Sequence, residues 1–93
     1  MKKAFRAIVT GRVLGVDFRS RIQRKATSLG LTGFVRALPN CSLEVVAQGS
    51  EDKLKDLAKY LEVGPRGATV EKVTVDWDHP GTDEWRFTIR AGE

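Results

Sequence analysis

Between Phe5 and Leu29 the spacing of apolar residues changes from two to about four, and the change falls across a turn that carries glycines. Phe5, Ala7 and Val9 share one face of an extended run, with Arg6, Ile8 and Thr10 on the other. Phe18, Ile22, Ala26 and Leu29 then recur at intervals of four, four and three, which is one apolar stripe of a helix. Gly30 is a suitable stop for it. The join is Gly11-Arg12-Val13-Leu14-Gly15-Val16-Asp17-Phe18-Arg19. A glycine-bearing turn that enters a helix leaves the first helical amides without intrahelical partners, pointing out of the helix end. Such an end suits an anion. Arg19 adds a forked donor matched to phosphate or carboxylate. The stretch is therefore read as an anion cradle, and the rest of the chain as its scaffold.

Thr32 to Leu38 reads as a second strand, ended by Pro39-Asn40. A third runs from Cys41 or Ser42 to Gln48, with Leu43, Val45 and Ala47 alternating against Glu44, Val46 and Gln48. The short gap between the two predicts a hairpin. Asn40-Cys41 stands where Asn-Gly would be the easier turn, because a cysteine pays for left-handed backbone. Ser50 caps a second helix, Glu51 and Asp52 complement its positive end, and Leu54, Leu57, Ala58 and Leu61 form its stripe. Gly64-Pro65 ends it and Arg66-Gly67 is a short basic loop. Val70 to Trp77 is a strand with Val73, Val75 and Trp77 on one face and Lys72, Thr74 and Asp76 on the other. Asp78 to Gly81 is a turn, and Trp85 to Arg90 is a last strand. Trp77, Trp85 and Phe87 are expected to be core aromatics.

The order β-α-β-β-α-β with one further strand predicts an α+β, ferredoxin-like sandwich. It has an antiparallel sheet, an extra C-terminal strand and both helices on one face. Residues 1–93 read as one domain. The first and second strands then run parallel with the third between them. So the turn at Gly15–Arg19 and the segment Arg36-Ala37-Leu38 emerge at the same end of the domain. Fold alone assigns no activity.

Composition narrows the function classes. Sixteen basic and twelve acidic side chains leave a net charge of +4, a mild preference for anionic partners. The single cysteine, Cys41, allows no intrachain disulfide and fits a reducing, cytoplasmic compartment. Met1-Lys2-Lys3-Ala4-Phe5 lacks the long apolar stretch of a signal peptide, and no run approaches the ~18 apolar residues of a membrane span. One histidine and one cysteine do not make a typical zinc site, and no metal or other cofactor is expected.

Several of these segments together resemble the acylphosphatase family. Gly11-Arg12-Val13, Gly15-Val16 and Phe18-Arg19 are similar to its G-R-V-Q-G-V-x-F-R signature, and Gly33-Phe34-Val35-Arg36 to its G-[WF]-V-R segment. Glu44 to Gly49, Gly64-Pro65, Ala68, Val70 and Val73 match the later pattern in the expected order. The resemblance implies a metal-free hydrolase of carboxyl-phosphate bonds. The amides of Gly15, Val16, Asp17, Phe18 and Arg19, with the Arg19 guanidinium, would bind the phosphoryl group. The family's water-positioning asparagine falls at Ala37, whose methyl group neither donates nor accepts a hydrogen bond. The family glutamine falls at Leu14, a loop glycine at Asp17 and the hairpin glycine at Cys41. Asp17 at a helix mouth is a good N-cap, so its carboxylate competes for the amides an anion would use and repels a dianion.

The expectation is a monomeric acylphosphatase-like protein acting on a small anionic acyl phosphate. Inorganic phosphate or sulfate would be ligands of the cradle, and activity would be weakened or lost through Ala37 and Asp17. The alternative is a non-catalytic anion- or partner-binding domain of the same fold. A nucleic-acid partner is not expected, because the outer sheet face (Arg6, Ile8, Thr10, Glu44, Val46, Gln48, Lys72, Thr74) lacks a stacking platform. Asn40 reads as a turn residue, about 10 Å of strand away from replacing the amide missing at Ala37. His79 reads as a loop residue, and the basic helix face of Arg21, Arg24 and Lys25 as solvated. Ser20 with Gln23 resembles a capping box that would start the first helix later than Asp17.

Overall fold

Strand β1 (Lys2–Arg12) is the second strand of a five-stranded sheet whose order is β4-β1-β3-β2-β5. The other strands are β2 (Thr32–Ala37), β3 (Leu43–Ser50), β4 (Thr69–Asp76) and β5 (Phe87–Ile89). The helices are α1 (Phe18–Ser28) and α2 (Glu51–Val63). The computed structural model describes residues 2–13, 17–64 and 67–90. The expected Gly15 and Val16 of the cradle, the Leu14 position, and the Pro65-Arg66 loop lie outside the described residues.

Alternation sets the sheet. Phe5, Ala7 and Val9 of β1, Val35 of β2, and Leu43, Val45 and Ala47 of β3 are buried beneath the helices. Phe18, Ile22 and Ala26 of α1 and Leu54, Leu57 and Leu61 of α2 meet them, as the helical spacing requires. Each such large apolar side chain contributes roughly 1.5–3 kcal/mol on burial.

β3 pairs antiparallel with both β1 and β2, so β1 and β2 run parallel with β3 between them. That is the predicted ferredoxin-like arrangement. The extra C-terminal strand is present as well, and it pairs parallel with β2, from Gly33 opposite Phe87 to Val35 opposite Ile89. Its three residues are fewer than the Trp85–Arg90 run expected from the sequence.

Two aromatic expectations fail. Trp85 is 79% exposed and Trp77 is 40% exposed; only Phe87 of the three belongs to the core. Trp77 keeps the predicted face but lies beyond the last residue of β4, where one edge of its surroundings is the Phe5 ring at 5.2 Å. Trp85 precedes β5, so no ladder directs it inward; the Arg86 guanidinium lies 5.0 Å from its ring.

The sheet face away from the helices is also more closed than expected. Glu44 and Val46 are buried there. Thr82, in the connection from β4 to β5, donates its amide to the Gln48 side chain at 3.0 Å. Phe34 shares this face, and its ring is covered by the Arg90 guanidinium at 3.8 Å. The Phe34 ring is thus not an open stacking surface.

Candidate active site

The C-terminal end of β1 leads into the site. A register shift between Thr10 and Gly11 interrupts the pairing of β1 with β4 just before the chain leaves the sheet. Gly11 has φ 131°, and a Cβ there would lie 2.1 Å from the Thr69 carbonyl oxygen. Glycine is thus required twice, by backbone angle and by close approach. Val13 is buried and anchors the outgoing chain.

The chain re-enters regular structure at Asp17, the N-cap of α1. Asp17 has φ 59° and ψ 27°, a left-handed conformation, and its exposed carboxylate makes no capping hydrogen bond. The expected competition of that carboxylate for the helix amides is therefore absent from the structure. Its backbone carbonyl does accept the Arg21 amide at 3.2 Å, the first bond of the helix. The amides of Phe18, Arg19 and Ser20 precede that bond and have no intrahelical acceptor. The Phe18 side chain is buried, edge-on to Tyr60 at 6.4 Å, and fixes the first turn to the core. Arg19 is half-buried and engages no hydrogen-bond or ion-pair partner among the described residues.

The Ser20–Gln23 capping box does not form. The Gln23 side-chain amide instead donates to the Phe87 carbonyl at 3.1 Å, tying α1 to β5.

Ala37 ends β2 at the same sheet edge. It pairs with Leu43, which on its other side pairs with Val9. Ala37 is half-buried and packs against the core on the helix face. The structure thus brings Ala37 and the start of α1 to one end of the domain, as the topology predicts.

The hairpin that follows closes through Leu38 and Ser42, with the Leu38 amide donating to the Ser42 carbonyl at 2.8 Å. The Asn40 side-chain oxygen accepts from the Ser42 hydroxyl at 2.5 Å and from the Ser42 amide at 3.4 Å. Asn40 is therefore committed to the turn, as expected. Cys41 is exposed and has φ 66°, the left-handed geometry anticipated for that position. His79 is remote: β4 runs antiparallel to β1 and carries it to the opposite edge, where its Nδ1 accepts the Gly81 amide at 3.1 Å.

One charged group near the site was not anticipated as buried. Glu44 is 5% exposed and accepts from Arg6 on β1 and Arg36 on β2, both at 2.5 Å. Burial pushes its carboxyl up, but hydrogen bonds and charge from Arg36 and Arg6 outweigh that and hold it below the usual carboxylate value. The triad joins three strands immediately before Ala37. The signal was available in the hairpin register, which sets Arg36 opposite Glu44.

Among the described residues no three His, Cys, Asp or Glu side chains gather as a metal ion would require. No described helix is long and apolar enough to cross a membrane.

A ferredoxin-like sandwich that presents an arginine on the first turn of its first helix, beside the end of its second strand, belongs to a recognisable class of small α+β proteins. The acylphosphatase family model matches residues 5–89, and the chain belongs to that family. It is 46% identical over 87 residues to an acylphosphatase of Caldivirga maquilingensis, covering 91% of this chain and 90% of the relative. The structure of an acylphosphatase from Coxiella burnetii superposes with a TM-score of 0.90 at 34% identity, over 96% of this chain and 93% of that one. Acylphosphatase from Bacillus subtilis gives 0.89 at 30% identity, over 97% and 99%.

Proposed function

We propose that the protein hydrolyses carboxyl-phosphate bonds, and that it does so slowly. The observation that carries this reading is Arg19 on the first turn of α1, without a partner among the described residues, at the sheet edge where Ala37 also ends β2. The phosphoryl group is held by the Arg19 guanidinium and by the amides from Gly15 to Arg19. Water attacks phosphorus in line. The P–O bond to the acyl group breaks, the acyl oxygen leaves as carboxylate, and the oxygen of water remains on inorganic phosphate. Such a transfer depends mainly on positioning and charge stabilisation, and a carboxylate is a good leaving group. Position 37 supplies no hydrogen bond to orient the water, which is why the rate is low.

In this reading residues 1–93 act as one monomeric domain in the cytoplasm, on a small acyl phosphate and without a cofactor. The positive charge balance and the lone cysteine support it.

Steady-state hydrolysis of benzoyl phosphate tests the proposal. The expected result is a rate above buffer that falls on the order of a hundredfold in Arg19→Ala, the usual cost of one oxyanion-type donor. A rate equal to buffer, or unchanged in Arg19→Ala, overturns it. Phosphate binding without turnover would make the chain a non-catalytic anion-binding domain instead.

A further inference from the structure

The solvent side of the two helices carries a groove that the hydrolytic reading leaves unused. Two adjoining concavities, about 460 and about 330 Å³, share Lys25 and Tyr60. Arg21 and Arg24 on α1 and Lys59 on α2 complete a cationic rim with Lys25, and Asp56 is the carboxylate that faces them. None of these four cations forms an ion pair among the described residues, although the chain holds several such pairs elsewhere. Four positive charges against one negative are concentrated here in a protein whose whole net charge is +4.

The floor is aromatic and one end is apolar. Tyr60 is half-buried, held edge-on by Phe18, with the Lys25 ammonium 5.9 Å from its ring centroid. Val63 lines the same concavity and is 73% exposed. With Phe18 at its edge and Lys25 above it, the ring is a wall for an aliphatic side chain rather than an open platform for a base.

We propose that this groove is a docking site for an acidic peptide segment of a partner protein, with carboxylates on Arg21, Arg24 and Lys59 and an aliphatic side chain against Tyr60 and Val63. Charge complementarity selects the acidic chain, and the Tyr60–Val63 wall selects one that alternates acid with an apolar residue. The groove lies outside the proposed cradle, so docking and hydrolysis are separable.

Fluorescence anisotropy with a fluorescein-labelled (Glu-Glu-Leu)4 peptide tests this. Binding with Kd below about 100 µM is expected near 50 mM salt, weakening as salt screens the rim. The double variant Arg24→Glu/Lys59→Glu should bind at least about tenfold more weakly while retaining its circular dichroism spectrum, since both side chains are exposed. Should that reversal fail to fold, Arg24→Ser/Lys59→Ser serves the same purpose. A (Glu-Glu-Ser)4 peptide, equal in length and charge, should bind more weakly than the Leu-containing one. No binding at 1 mM peptide, binding unaffected by the double variant, equal binding of the (Glu-Glu-Ser)4 peptide, or tighter binding of single-stranded DNA of matched charge would each overturn the proposal.

Discussion

Asp17 and Cys41 share a backbone conformation: they are the two non-glycine residues with positive φ among the described residues, at 59° and 66°. One stands at the start of α1 and the other in the hairpin after β2, at the same end of the domain. A side chain in left-handed backbone costs roughly 1–2 kcal/mol, less for Asp than for most residues. Glycine removes that strain and gives back part of the gain as unfolded-state entropy. Cys41→Gly is therefore expected to stabilise the protein by about 0.5–1 kcal/mol, a rise of a few degrees in Tm. Thermal and urea unfolding measure it.

Asp17→Gly should stabilise less, but it bears on binding. The carboxylate is exposed, makes no cap hydrogen bond, and lies two residues from Arg19. Removing it takes a negative charge from the mouth of the proposed cradle. The expected result is a several-fold lower KM for benzoyl phosphate at low salt, with the difference shrinking as ionic strength rises. KM measured at two salt concentrations separates this charge effect from a change in loop geometry.

Glu44 gives the protein an acid-sensitive joint. Its folded carboxyl lies below the ordinary value, net of burial that raises it and the two arginines that lower it. A lowered folded value means the contribution is fully present above the unfolded pKa, near 4.3, and is lost as pH falls through the folded value. Glu44→Gln is expected to cost about 1–3 kcal/mol at pH 7, because the glutamine lacks the charge, keeps one acceptor oxygen and turns a donor NH2 toward the other arginine. The gap between variant and parent should narrow below about pH 4. Glu51, Asp52 and Glu84 are also held low, so the difference between the two proteins, not the parent alone, isolates Glu44. Urea unfolding at pH 7 and in acid reads it out.

The parts of this fold that were legible in the sequence are those set by strict periodicity. Phe5-Ala7-Val9, Phe18-Ile22-Ala26 and Leu54-Leu57-Leu61 each name a buried face, and the structure buries all of them. Chirality and the short hairpin then bring Ala37 and Arg19 to one edge. What periodicity could not reach depends on neighbours across the sheet. Trp85 looks like a strand aromatic but stands before the ladder begins, so pairing does not place it. Glu44 alternates into a face that would be open were Arg6 and Arg36 not folded over it. Gln23 belongs to a local capping pattern, yet the Phe87 carbonyl, sixty-four residues away in sequence, captures its amide.

Gly11 offers a test of how the strand leads into the proposed cradle. A methyl group at this position would meet the Thr69 oxygen at 2.1 Å and the Glu71 nitrogen at 2.8 Å, both backbone atoms of β4. Neither can yield without opening the β1–β4 pairing. Gly11→Ala is expected to destabilise by about 2–4 kcal/mol, combining overpacking with left-handed strain. Hydrogen exchange should show the loss of protection concentrated at the Gly11–Thr69 end of that pair, with the Phe5–Ala47 region less affected.

Ala37 is the position where one substitution tests the proposed active site. Its Cβ already packs on the helix face at the edge where α1 begins. Asparagine there adds a carboxamide that can accept from and donate to water, and half-burial leaves it solvent access at a stability cost of about 1 kcal/mol or less. Orienting the attacking water acts on the transition state and not on phosphate binding. Ala37→Asn is accordingly expected to raise kcat for benzoyl phosphate by about tenfold to a hundredfold with KM nearly unchanged. Ala37→Leu should leave kcat at the parent level, and Arg19→Ala in the Ala37→Asn background should remove the gain. A rise in kcat that survives loss of Arg19 would place the reaction away from this end of the sheet.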